Sequence, residues 1–395
     1  MKEFKVIPLS VPNLSSDILG NIQETIETGW VSTGGRFIKE FEEKIAKYVG
    51  VNRAVSCQSG TAGLHLALRV LDIGAGDEVI VPTLTFIAAV NPVKYLKAEP
   101  IFMDCDDTLN MDMSKLEDFL ENRCTYANEK VINKRTGRQI KAIVVVHVFG
   151  NLADMEKLMD IKGKYNLKII EDATEALGSY YLEGKYAGKY CGTIGDIGVY
   201  SFNANKIITT GGGGMVVSSN EKLLERVEFL GLQAKTDSLY SIHDDIGYNY
   251  RMINIQAAFG VEQIHRLESF IEAKIRNYNL YKEAIKNIEG LTLLPFRTDT
   301  RANYWFYSVI VDKEKYGIDR DELLRKLNSR NIQTRPLWRL THKQKPYLDN
   351  QSFKIEKAFT FEESLINIPC STNLREEDVE IVIDALKDNM QTPIK

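Results

Sequence analysis

The sequence predicts an α/β protein in two parts. A large domain over residues 1–250 has a mostly parallel sheet flanked by helices, and a smaller α+β domain follows over 251–395. Three observations carry this reading. Strand-like and helix-like patterns alternate from Gly50 to Ser218, as βαβ units do. The runs DEVIVP (77–82) and AIVVVHVFG (142–150) are dominated by apolar residues, as buried strands are. After residue 250 the pattern changes to one long helical stretch, followed by a strand and further helices.

The elements follow in chain order. Phe37, Phe41 and Ile45 recur at helical spacing, and Gly50 is placed to stop that helix. RAVSC (53–57) reads as a strand, and SGTAGLHLALRVL opens a helix directly after it. DEVIVP is a strand closed by Pro82. TYANEKVINKRTGRQIK (125–141) is polar and turn-rich, a surface excursion between strands that can form a β-hairpin. AIVVVHVFG is the strongest buried-strand signal in the chain, followed by the helix MEKLMDIKGKYN and the strand LKIIEDA (167–173). In VYSFNANKIITTGGGGMVVS (199–218) an apolar strand pattern ends in a lone Lys206, and four glycines precede a second strand. Beyond 250, INIQAAFGVEQIHRLESFIEAKIRNYNLYKEAIKNI is a long helical pattern, open to a break, with Gly290 past its end. NYWFYSVIV (303–311) reads as a strand, RDELLRKLNSRN as a helix, and LREEDVEIVIDALKDNM as the last helix.

Composition narrows the function classes. The 395 residues are 44% hydrophobic and 26% charged, the profile of an ordinary globular protein. A net charge of -4 argues against nucleic acid or an anionic membrane as partner. MKEFKVIPLS lacks an apolar signal core, and no run approaches a membrane span. The five cysteines are scattered with no C-x-x-C pair, and the five histidines lack metal-ligand spacing. The expectation is a cytoplasmic protein without a structural metal.

Lys206 poses the chemical question. A phosphate-binding P-loop needs its glycines before the lysine, whereas Gly211 to Gly214 come after it, so that reading fails. The alternative is a lysine that forms an imine with pyridoxal phosphate (PLP). Such a lysine needs an anion cradle, an acid to keep the pyridine nitrogen protonated, and a flat group over the ring. Ser59, Gly60 and Thr61 stand at a strand-to-helix junction, where free N–H groups and the positive helix end favour a phosphate. Asp172 sits at the carboxyl end of an apolar strand, where ligands bind in open α/β sheets. Phe86, after the DEVIVP strand, can stack on a ring, and Ser201 is a further phosphate donor. Each feature alone also has a plain structural reading, as an N-cap or a core aromatic. Together they read Lys206 as the Schiff-base residue.

SGTAGLHLAL, DEVIVPTLTFIAA, EDATEALGS, GDIGVYSFNANKIITTGGGGM and GYNYRMINIQAA resemble, in order and spacing, the DegT/StrS family over roughly residues 7 to 390. These are fold-type-I, PLP-dependent sugar-nucleotide aminotransferases. NYWFYS, TRPLW and NIPCSTN look most like the LegC-like branch of the legionaminic-acid pathway, with bacillosamine and perosamine branches nearby. The resemblance implies that Lys206 bonds the cofactor, Asp172 partners the pyridine nitrogen, and Thr61 and Ser201 bind the phosphate. It places Gly60 and Ala62 where backbone amides approach that phosphate, and Phe86 over the ring. Glu175 stands where many members carry glutamine, and a carboxylate there repels a phenolate unless protonated or turned away. Asn249 matches a residue that reaches the phosphate of the neighbouring subunit, which implies a homodimer with shared sites. Ala204 replaces a glycine usual in close relatives. The implied substrates are glutamate, as amino donor, and a nucleotide-linked 4-keto-6-deoxy sugar. Arg36, Arg251 and Arg335 are candidates for the diphosphate. A dehydratase of the same fold has histidine in place of the lysine, so Lys206 argues against it; a non-catalytic descendant would be expected to lose Lys206 or Asp172.

Overall fold

The computed structural model describes residues 6–237 and 239–390. The first five residues of the MKEFKVIPLS stretch, and the last five of the 251–395 segment, lie outside them. Among the described residues no helix is long and apolar enough to cross a membrane.

Seven strands frame the large sheet: β1 Ala54–Cys57, β2 Asp77–Pro82, β3 Glu99–Met103, β4 Gln139–Val146, β5 Lys168–Asp172, β6 Ile197–Ser201 and β7 Gly214–Val217. Their order is β1-β7-β6-β5-β4-β2-β3, and Ser352–Phe353 adds a parallel strand beside β3. From β6 across to β3 every pairing is parallel, while β7 runs antiparallel to both β6 and β1. Helices return the chain between parallel strands, so the apolar strand patterns are covered on both faces. Alternation then sends neighbouring side chains to separate cores. Val79, Val81, Val144, Ile170 and Val199 enter one cluster, and Ile80, Ile143, Val145, Ile169 and Tyr200 the other.

The helix Arg36–Val49 buries Phe37, Phe41 and Ile45 and ends at Gly50, whose φ of 74° is the left-handed cap. The long helical pattern is two helices, Asn254–His265 and Leu267–Ile285, meeting at Arg266. The first lies against Arg36–Val49: Gly260 leaves room for the Phe41 ring, which a Cβ there would meet at 2.6 Å. The Asn254 side chain accepts the Phe37 N–H at 3.0 Å and donates to the Trp30 carbonyl at 2.7 Å. A four-stranded antiparallel sheet is built later in the chain from Leu291–Leu293, Tyr307–Val311, Leu365–Ile368 and Arg335–Pro336.

Two strand expectations shorten. AIVVVHVFG stays in the sheet only to Val146; the His147 N–H then bonds the Asp172 carbonyl at 3.1 Å, and Val148–Gly150 form a 3₁₀ turn. The cause is a fully buried His147, whose Nδ1 accepts the Ala153 N–H while Nε2 faces Glu171 at 3.0 Å. NYWFYSVIV joins the small sheet only from Tyr307, because Asn303 and Trp305 are held instead against residues 149 and 175–179. The polar excursion is a hairpin, Cys124–Ala127 with Lys130–Asn133, turning through Asn128 and Glu129 at positive φ. Its second arm pairs with the start of β4 and so extends the sheet.

Candidate active site

Register brings the ends of three parallel strands together. Val146 of β4, Asp172 of β5 and Val199 of β6 stand side by side. The chain leaves the sheet there, and a cavity of about 370 Å³ opens over the strand ends. Gly60, Thr61, Phe86, Asp172, Glu175, Ser201 and Lys206 all line it.

At one side Ser59 caps the helix Gly60–Val70, its hydroxyl accepting the Ala62 N–H at 3.1 Å. Ala62 is buried, absent from the cavity wall, and its amide is engaged by the Ser59 hydroxyl. Gly60 and Thr61 front the cavity. A Cβ on Gly60 would come within 3.0 Å of Ser201 Cβ and Thr174 Cγ2, so this corner admits backbone and little else. The Thr61 and Ser201 hydroxyls, a helix start and a glycine floor form a donor set suited to a phosphate group.

Asp172 is buried, and burial pushes its carboxyl up, opposed by bonds from Thr174 and by the charges of Lys206 and His147. Oδ1 accepts the Thr174 N–H at 3.1 Å. A carboxylate so placed suits a cationic ring nitrogen.

Lys206 stands in the turn after β6, five residues past the Ser201 end of that strand. Ala204 in this turn has no left-handed φ, so alanine carries no backbone strain there. Burial pulls the Lys206 amine down from its ordinary value, and Glu175 and Asp172 oppose that pull. Nζ lies 3.8 Å from Glu175 Oε1 and 4.1 Å from the centre of the Trp305 ring. Glu175 turns its other oxygen to the Phe149 N–H at 2.9 Å, and burial lifts its pKa to about 7. Burial thus favours the protonated carboxyl, and one of its oxygens is turned aside to Phe149. Gly213 takes a φ of 128°, and a Cβ on it would meet Met252 and Thr210 at 2.6 Å, which accounts for a glycine there.

Phe86 is 55% exposed, its ring at the cavity beside Trp338 at 6.3 Å. Thr174, Asn203, Asn205, Trp305, Phe306 and Trp338 line the cavity without having been singled out by sequence. Trp305 and Phe306 lie in NYWFYS and Trp338 in TRPLW, two aromatic stretches whose composition is the signal that points to them.

Other candidates lie elsewhere. Asn249 is exposed, bridges to Leu232, and is not on the wall of its own chain's cavity. Arg36 pairs with Glu24 and Glu40, while Arg251 is held by Glu42 and the Ser56 carbonyl. Arg335 is exposed, and none of the three arginines reaches the cavity. Among the described residues no three His, Cys, Asp or Glu side chains converge as a metal site.

The residues fit PLP: a donor set for phosphate, an acid for the ring nitrogen, an aromatic flank and a buried amine share one cavity. A model of the DegT/DnrJ/EryC1/StrS aminotransferase family matches residues 12–387. The chain is 36% identical over 390 residues to GDP-perosamine synthase of Caulobacter vibrioides, covering 98% of this chain and 99% of that protein. It is 35% identical over 387 residues to EpsN of Bacillus subtilis (97% and 95% covered), assigned by its name to the pyridoxal phosphate-dependent aminotransferases. The aminotransferase TlmJ from Streptoalloteichus hindustanus superposes with a TM-score of 0.87 at 27% identity, over 98% of this chain and 99% of that one.

Proposed function

This chain belongs to the DegT/DnrJ/EryC1/StrS aminotransferase family of PLP-dependent sugar aminotransferases, and from that premise we propose that it moves an amino group from glutamate to the keto carbon of a nucleotide-linked 4-keto-6-deoxy sugar. The supporting observation is the convergence of Lys206, Asp172 and the Ser59–Thr61 helix start on one cavity. When bound, PLP supplies an electron sink that lets the carbon next to the amine lose a proton.

The chain's own residues have distinct tasks in this reading. Thr61, Ser201 and the Gly60 backbone hold the phosphate. Asp172 keeps the ring nitrogen protonated, and Phe86 flanks the ring. Lys206 would bond the cofactor and, as a free amine, would take a proton from the donor's α-carbon and, in the second half-reaction, deliver one to C4 of the sugar. A buried amine with a lowered pKa suits both directions of transfer. Asn249 of the partner subunit reaches the phosphate in a homodimer, which accords with its exposure outside its own cavity. A division into domains at 1–250 and 251–395, and a cytoplasmic setting, complete the reading.

The TRPLW and NIPCSTN stretches support an N-acetylhexosamine of the legionaminic-acid type, linked to UDP or GDP. The likeness to GDP-perosamine synthases supports the GDP-linked precursor of perosamine instead. The test treats protein with glutamate, then offers UDP-, GDP- and dTDP-linked 4-keto sugars and follows the cofactor's absorbance. Return of the starting spectrum with one sugar alone names the nucleotide. No return with any 4-keto sugar refutes the reading.

A further inference from the structure

Trp305 is 3% exposed and engaged at every polar atom it has. Its N–H donates to the Phe149 carbonyl at 3.1 Å and to Asn303 Oδ1 at 3.0 Å. Its carbonyl accepts from Lys274 Nζ at 2.8 Å, and its indole N–H donates to the Asn205 carbonyl at 2.7 Å. Asn205 is the residue before Lys206, whose amine lies 4.1 Å from the centre of the indole ring.

The contacts close a loop. Lys206 faces Glu175 at 3.8 Å, Glu175 accepts the Phe149 N–H, Phe149 accepts the Trp305 N–H, and the Trp305 ring faces Lys206. Lys274 stands behind the loop, 2% exposed, bonded to the Trp305 and Cys370 carbonyls, with burial pulling its amine down. A buried amine that donates to two main-chain carbonyls ties them together and braces the Trp305 backbone.

We propose that Trp305 is a positioning residue for Lys206: its indole face holds the charged amine opposite Glu175, and its clamped main chain, braced by Lys274, fixes where that face stands. The inference rests on Lys206 being the cofactor lysine, and it adds a control on when that amine is charged. An aromatic face favours the protonated amine. The ionisable groups facing Lys206 are Glu175 and Asp172, both from the end of β5 and the turn after it; the ring is the contribution of the later part of the chain.

Fluorinated tryptophans test this without changing shape, because successive fluorines drain the ring face. Trp305, one of three tryptophans, is replaced singly with mono-, di- and tetrafluorotryptophan by site-specific incorporation. Cofactor-free protein is labelled with an amine-reactive anhydride from pH 6 to 11, and the rate at Lys206 is read by peptide mass spectrometry. The rate below the amine's midpoint should rise step by step, by roughly tenfold for the tetrafluoro ring. An unchanged rate across the series, or a fall, overturns the proposal. Trp305→Phe, which keeps a face but not the indole N–H, should lie between native and tetrafluoro protein; a rate above the tetrafluoro value also overturns it. Borohydride reduction of PLP-loaded native protein is the separate check on the underlying reading, since a pyridoxyl group mapped away from Lys206 would refute that reading alone.

Discussion

Glu175→Gln gives a signed stability curve. Glu175 is 5% exposed, and burial lifts its carboxyl from the ordinary 4.5 to about 7 despite the nearby Lys206 amine. Between those values the unfolded chain has released the proton and the folded chain still holds it. Folding is therefore favoured at the acid end, and stability falls as pH rises from 4.5 to 7, after which this contribution is flat. Over that window the loss amounts to about 3 kcal/mol. Glutamine has the same shape, keeps an oxygen for the Phe149 N–H, and does not ionise.

Cofactor-free Glu175→Gln should therefore melt with native protein near pH 4.5 and progressively above it towards pH 8. For a chain of 395 residues the gain is about 4 °C at its largest. Lys206 titrates with the opposite sign but is present in both proteins, so the difference curve isolates the carboxyl and its coupling. Paired thermal melts at half-unit pH steps are the assay. A difference that does not vary with pH, or a variant that loses ground as pH rises, would refute the argument that burial sets this group.

Asp172→Asn should keep the fold and bind PLP yet lose most turnover, because an amide does not stabilise a protonated ring nitrogen; near-native kcat would assign that role to another acid. Gly60→Ala should weaken PLP binding more than it lowers the melting temperature, since its Cβ would press on Ser201 and Thr174 at 3.0 Å in the phosphate corner; equilibrium dialysis at fixed PLP reads this, and unchanged affinity rules the corner out. Mixing Lys206→Ala with Asn249→Ala chains should restore one intact site per heterodimer, because one site collects both defects and the other neither. Activity no greater than the sum of the two parents would mean that Asn249 serves its own chain.

Much of this site could be read from sequence because its chemistry sits at strand ends. The apolar run before Asp172 ends where a parallel strand leaves the sheet, and the SGT start follows a strand directly. Those positions depend on local periodicity. The place of Trp305 does not, because the aromatic and β-branched residues of NYWFYSVIV read as one strand; only contacts with residues more than 90 positions earlier pull its first half into the cavity wall. Arg251 failed differently. A lone arginine in GYNYR looks free for a ligand, and nothing local reveals that Glu42 and Glu228 fold against it. Nor is it legible locally that Ser59 caps its own helix and engages the Ala62 N–H, one of the groups a bare helix start would offer.

The dipeptide Glu171-Asp172 shows how a one-residue step separates support from chemistry. Successive side chains on a strand point to opposite faces, so Asp172 meets the cavity while Glu171 meets the loop on the other side. There Glu171 accepts the N–H groups of Gly192, Ile194 and Gly195, at 2.7, 2.7 and 2.5 Å, and faces His147 at 3.0 Å. The loop it gathers lies flat on the next strand, for a Cβ on Gly198 would fall 2.0 Å from the Gly192 carbonyl oxygen. Gly198 belongs to β6, the strand that ends at Ser201 and leads to Lys206. His147 in turn stops β4 at Val146, which opens the space above the strand ends. Glu171 therefore shapes the cavity from behind the sheet: it seats the loop on β6 and fixes the histidine that ends β4, while its neighbour Asp172 faces the cavity.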